Sequence, residues 1–288
     1  MKHLPAQAPS ALEYFAALVA EDASLPLLEA AITIAQDEHP ALDPQAVLAD
    51  IDGLAARLKA RLPDDASPLQ RLRALNRFFF SELGFAGNLN DYYDRRNSYL
   101  HEVLATRRGI PITLALLYSE LAGQVGLTAK GISFPEHFLV KVRMPQGEVV
   151  IDPFNGRSLS RDDLDERLAP YRKRHGLEGD FEAPLGLFLQ TAPPRDVLAR
   201  MLRNLKEIHR TAEDWLRLLA VQQRLVVLLP GSAEELRDRG LTWAELGRAD
   251  AAAADLDAYL SQRPDAEDAP ALAERARELR RAGSPRLH

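Results

Sequence analysis

The chain of 288 residues is 46% hydrophobic and 27% charged, a balance that supports one large domain or two modest ones around packed cores. It contains no cysteine, which excludes disulfides, thiolate metal sites and cysteine nucleophiles. Its formal net charge of −6 disfavours a phosphate backbone as the main target, so no nucleic-acid partner is expected, and the basic runs at 172–175 and 277–281 read as solvated faces.

The opening residues carry Pro5 and Pro9 and no apolar core of the kind a secretory signal needs. No window approaches the roughly 20 apolar residues of a membrane span. A cytoplasmic protein without membrane contact is the expectation. From Ser10 to about Leu83, apolar residues recur every three or four positions: Leu12, Phe15, Ala16 and Val19, then Leu27, Leu28, Ala31 and Ile34. That spacing predicts helices. Asp43-Pro44 and Ser67-Pro68 each set a capping side chain before a proline whose missing N–H suits a first helical turn, so two helices are expected to start there.

Residues 87–91 are rich in turn formers, and 97–106 read as a loop entering a helix. Pro111 opens a further helix with an apolar stripe of Leu114, Leu117, Tyr118 and Leu121, which should be central and buried. Between Ala129 and Asp152 the period changes to two. Phe138, Val140 and Val142 alternate with Leu139, Lys141 and Arg143, and Val149-Val150-Ile151 closes a hairpin across Pro145-Gln146-Gly147. The predicted class is α+β, a small antiparallel sheet packed on the Pro111 helix, followed by an all-α region. The division expected is an N-terminal helical part of the core domain at 1–84, the core at 85–190, helices at 191–282 and a flexible tail at 283–288.

The helical region carries a repeat. Pro230 and Pro264 stand one tetratricopeptide period apart, about 34 residues. Leu236, Gly240, Trp243, Gly247, Ala252, Leu256 and Tyr259 fall where such a helix pair wants bulky and small residues in turn, with Arg239 in place of an apolar one. The preceding unit keeps Leu202, Leu205, Leu218 and Leu225 but has Lys206 at its small position, so it is a degenerate repeat. An ordinary helical hairpin of matching length is the alternative.

A second pattern lies in 87–159. It comprises Tyr92-Tyr93-Asp94-Arg95-Arg96-Asn97-Ser98-Tyr99-Leu100, Arg107-Arg108-Gly109-Ile110-Pro111-Ile112, Phe134-Pro135-Glu136-His137-Phe138-Leu139-Val140 and Ile151-Asp152-Pro153-Phe154-Asn155-Gly156. This stretch resembles the transglutaminase-like core of the SirB-like family, whose layout of N-terminal helices and a tetratricopeptide-like tail also fits. The resemblance implies a papain- or transglutaminase-like fold, in which a helix presents a cysteine and the following strands present histidine and aspartate. His137 and Asp152 take the latter two positions. Pro111 takes the first, or Ile110 or Ile112 if the register slips.

Such a triad needs an ionisable nucleophile, an imidazole to take its proton and a carboxylate to hold the imidazole tautomer. Proline offers no nucleophile. Thr113, two residues on, lies about 200° around the helix and should point elsewhere. The His137–Asp152 pair then has three readings. It is a hydrogen bond that satisfies a half-buried imidazole, a binding site in the remnant cleft to which Arg96, Asn97, Tyr99 and Glu136 contribute, or catalysis through activated water.

Other motifs fail. His101-Glu102 starts like a zinc-binding helix, but Ala105 stands where the second histidine belongs, so no metal site is expected. No glycine-rich phosphate loop or strained serine turn occurs, and no cofactor is expected. Phe78-Phe79-Phe80, Trp215 and Trp243 read as packing. The expected function is a non-catalytic transglutaminase-like protein that binds another protein through its repeats or remnant cleft. The alternative is a hydrolase or acyltransferase using a non-cysteine nucleophile or activated water with His137 and Asp152.

Overall fold

The structure, a computed structural model, describes residues 9–177, 179 and 183–283. The expected tail from 284 on, and the opening residues 1–8 used to assign a compartment, lie outside them. Two compact units are present. One contains Pro26–Ala35 and Ala41–Met201, and the other the residues up to Leu25, Gln36–Pro40 and the chain from Leu202 onward.

In the first unit, the helices begin where their caps stand. The Asp43 side chain accepts from the Gln45 N–H at the start of α3 (Pro44–Lys59), after α2 (Leu27–Thr33). Ser67 and Gln70 bond reciprocally at the start of α4 (Pro68–Asn76), a capping box with proline in the first turn. A wider turn at Arg77–Glu82 follows and buries Phe78 and Phe79, with the Phe79 ring stacked on Phe85 at 4.4 Å.

After α5 (Leu100–Thr106), Pro111 opens α6 (Pro111–Gln124), whose residues Pro111 to Tyr118 are all buried. This matches the central helix expected from its apolar stripe. Tyr118 keeps its polar tip satisfied by donating to Asn76 Oδ1 at 2.6 Å. Helix α6 packs on the sheet of β3 (Ala129–Ile132), β4 (Leu139–Met144), β5 (Gly147–Asp152) and β6 (Arg157–Leu159), antiparallel throughout and in that order. Val140 pairs with Ile151 and Met144 with Gly147, so the hairpin turns where the Pro-Gln-Gly signal placed it.

The sequence did not announce β6, a three-residue strand too short to show a period. Nor did it announce α7 (Arg161–Arg174), capped by Ser160 and Asp163. Helix α7 corrects one expectation. Arg172, read as part of a solvated face, is buried, with its guanidinium on the Ala183 carbonyl at 2.9 Å and on Asp165 at 3.0 Å. It follows Leu164 and Leu168 at four-residue steps on the inward face of the helix, which is why a charged residue ends up inside.

The second unit is helical. Helix α1 (Ala11–Leu18), with a capping box between Ser10 and Glu13, packs on α10 (Trp215–Leu228). Between them Arg224, fully buried, donates to Asp37 at 2.6 and 2.9 Å and lies 4.9 Å above the Phe15 ring. Helices α11 (Ala233–Glu245) and α12 (Ala249–Gln262) cross closely at Gly240, where a Cβ would meet Asp255 and Leu256 at 3.1 Å. Gly247 makes the turn between them with φ +69. Helix α13 (Ala269–Gly283) closes a core of Ala252, Leu256, Ala276 and Leu279 with Trp243 packed against it.

Both departures from the repeat pattern carry ion pairs. Arg239 binds Asp255 through two 2.7 Å bonds, and Lys206 lies 2.6 Å from both Glu235 and Asp238. No helix among the described residues is long and apolar enough to cross a membrane.

Candidate functional site

The site is assembled around one backbone crossing. Two short parallel strands, β1 (Ala86–Gly87) and β2 (Arg108–Gly109), pair Gly87 with Gly109, two residues before Pro111. The Gly87 N–H also donates to the Phe154 carbonyl at 2.8 Å. Gly87 thereby ties the start of α6 to the chain just past Asp152. It has to be glycine, because a Cβ there would fall 2.1 Å from the Phe154 ring.

His137 sits two residues ahead of β4, after a turn in which Glu136 takes φ +57. Asp152 ends β5. The antiparallel register carries the two side chains together, with His137 Nε2 2.8 Å from Asp152 Oδ1. The same carboxylate accepts from the Phe154 N–H at 3.0 Å, Asn155 Nδ2 at 3.1 Å and Arg167 of α7 at 2.9 Å. Burial pushes the Asp152 carboxyl up, but the bonds from His137, Arg167 and the Phe154 N–H outweigh it and hold the group below the ordinary carboxylate range.

An ionised Asp152 can only accept, so the shared proton belongs on Nε2 of His137, and in that tautomer of the neutral ring Nδ1 is left as an acceptor. Among the described residues, Asp152 is the hydrogen-bond partner of this ring. The imidazole side chain is 23% exposed, against 2% for Asp152. It is not walled in: Phe134 and Phe138 are buried in their own right, and Phe154 alone of the three has its ring against His137, edge-on at 6.3 Å.

From Phe154 an aromatic row leads away from the imidazole. Tyr92 lies 6.0 Å from Phe154 and 5.3 Å from Tyr93. Tyr93 and Leu89 project into solvent. Arg200 of α9 (Pro194–Thr211) donates to Ser133 Oγ at 2.8 Å, lies over the Phe138 ring at 5.6 Å and shares the electrostatic environment of Tyr92. Burial pushes the Tyr92 phenol up, and Arg200 opposes that shift.

The other residues singled out from the sequence divide. Asn97 is buried and braces the Tyr92 loop: its amide donates to the Asp91 and Tyr92 carbonyls at 2.7 and 3.2 Å and accepts from Asn88 at 3.0 Å. Arg96 turns to Asp94 at 2.6 Å, Tyr99 is buried against the His101 ring, and Glu136 pairs with Arg174. The structure therefore brings His137 and Asp152 together, admits Asn97 indirectly, and gives Arg96, Tyr99 and Glu136 other partners.

A family profile described as the transglutaminase-like superfamily matches residues 45–203, and a tetratricopeptide repeat profile matches 205–277. The chain belongs to the transglutaminase-like superfamily. A UPF0162 protein of Xylella fastidiosa is 38% identical over 85% of this chain and 86% of its own length. One of Pseudomonas aeruginosa is 33% identical over 91% and 94%. The human F-box only protein 21 is 44% identical over 72 residues, 25% of this chain and 12% of that protein. No solved structure matches.

In this transglutaminase-like chain the first turn of α6 offers no nucleophile. Pro111 is buried. The Thr113 hydroxyl is engaged with backbone, 2.8 Å from the Asn97 carbonyl and 3.0 Å from that of Ile110, and it accepts from the Ile110 N–H at 3.2 Å. Ser98 Oγ is buried without a partner among the described residues and does not bond His137. Tyr92 and Asn155 stand in the family-like stretches of the sequence without having been picked as site residues, and Arg167 and Arg200 were not singled out at all. Asn155, next to the Asp-Pro-Phe motif, had a local signal in its turn position. Arg167 and Arg200 had none, since each reaches the site from a helix distant in sequence.

Proposed function

We propose that this SirB-like protein is a pseudoenzyme of the cytoplasm. It recognises another protein through its tetratricopeptide-type helices or through the remnant cleft at His137, without nucleic acid or membrane. The observation that supports the reading is a paired imidazole and carboxylate, tied through Gly87 to a helix start whose proline can neither attack nor be activated. Retaining the pair without a nucleophile fits recognition: Nδ1 accepts a donor from the ligand, and the Tyr92–Phe154 row supplies aromatic contact. Helical repeats of this type offer extended concave surfaces for partners.

The boundaries we assign are the core at 85–190, preceded by helices that complete it, and the repeats at 191–282. The second reading, a hydrolase or acyltransferase working through activated water, draws on the same open edge of His137.

The test is capture with immobilised full-length protein, wild type against His137→Ala/Asp152→Ala, after circular dichroism has shown the variant folded. A polypeptide that wild type retains and the variant releases supports recognition by the cleft. Identical capture by both would remove the cleft from the proposal.

A further inference from the structure

A cavity of about 490 Å³ opens beside α3 and α5, away from the His137 cluster, with Gly53, Leu54 and Arg57 of α3 and His101, Leu104 and Arg107 of α5 and its C-cap in its lining. Arg107 is placed there against two penalties. Its backbone is left-handed, φ +59, at a position glycine fills more easily. Its Nη1 is buried with no hydrogen-bond partner among the described residues, although buried guanidinium donors are ordinarily paired. The Phe85 ring 4.7 Å below the guanidinium explains its packing but accepts no ordinary hydrogen bond.

Burial pushes the Arg107 guanidinium down, and the like charge of Arg57 adds to that. Two cations thus face one groove. Asp50, the carboxylate in the lining, forms an ion pair with neither among the described residues. Gly53 supplies an independent sign. Glycine in a helix interior is unfavourable, yet a Cβ there would meet nothing within 4 Å, so its effect is to leave the groove open rather than to let another chain approach.

We propose that this cavity binds a small organic oxyanion, with its carboxylate or phosphate head held by Arg57 and Arg107 and its apolar body against Leu54 and Leu104. Planar guanidinium groups suit such heads, and a bare ion would leave most of the space unfilled.

Calorimetric titration of the full chain with hexanoate, hexyl phosphate, inorganic phosphate and hexanol tests it. Hexanoate or hexyl phosphate is expected to bind and hexanol not, and the tighter of the two anions identifies the head group. Arg107→Gly, which relieves the backbone, and Gly53→Leu, which fills the groove, should each weaken binding by at least about tenfold. Asp50→Asn should strengthen it. Arg107→Gly should also hold or raise the melting temperature, whereas a purely structural arginine would lower it. Absence of binding of both organic anions to wild type at millimolar concentration, or unchanged binding in Arg107→Gly, would overturn the proposal.

Discussion

Around Asp152, buried polar groups find partners within 15 residues: His137, Phe154, Asn155 and Arg167. In the second unit, buried charges reach much further along the chain. Lys206 meets Glu235 29 residues on, and Arg224 meets Asp37 across 187. The first arrangement is the product of one hairpin, one turn and one helix, so it forms whenever those form. The second depends on distant segments arriving together, and removing Asp37 leaves Arg224 as an uncompensated buried charge.

That contrast predicts different sensitivities. The largest effect is expected for Asp37→Ala, which strands the fully buried Arg224 and should cost about 3–5 kcal/mol in urea unfolding. Water does not reach Arg224 to replace the lost carboxylate, because nothing of its side chain is exposed.

Asp152→Asn should cost less, about 1–3 kcal/mol near neutrality, because the amide keeps part of the network. This cost depends on pH. The folded Asp152 carboxyl titrates below its ordinary value of about 3.9, so its stabilisation is complete above that value and is lost as pH falls through the lower, folded one. Stabilities of wild type and Asp152→Asn, measured from pH 7 downward, should therefore converge in strong acid. Parallel curves would show that the carboxylate is not what holds the cluster.

The smallest effect is expected where the repeat departs from its pattern. Arg239→Leu alone strands Asp255, whereas Arg239→Leu/Asp255→Leu should fall within about 1 kcal/mol of wild type or above it, since a paired buried charge is often no better than packed apolar residues. A double-mutant cycle by thermal unfolding gives the coupling.

The parts of the molecule legible in the sequence are those with local signals. Asp43-Pro44, Ser67-Pro68 and Pro111 start helices because capping and proline act within one turn. The alternation through 138–151 gave the hairpin. His137 and Asp152 were legible through the resemblance, and their register then joined them. Strand β6 was too short to show a period. Arg172 looked like a surface residue because charge in a sequence does not reveal a partner elsewhere. The αL backbone of Arg107 was equally hidden, since the usual glycine or asparagine is absent from that position.

The most direct measurement of the central claim is turnover. Purified full-length wild type and His137→Ala, each shown to be folded, are incubated with a panel of peptide amides and activated esters across pH 5–9. The account predicts no saturable release above the rate of the variant. Saturable turnover by wild type that disappears with His137 would contradict it.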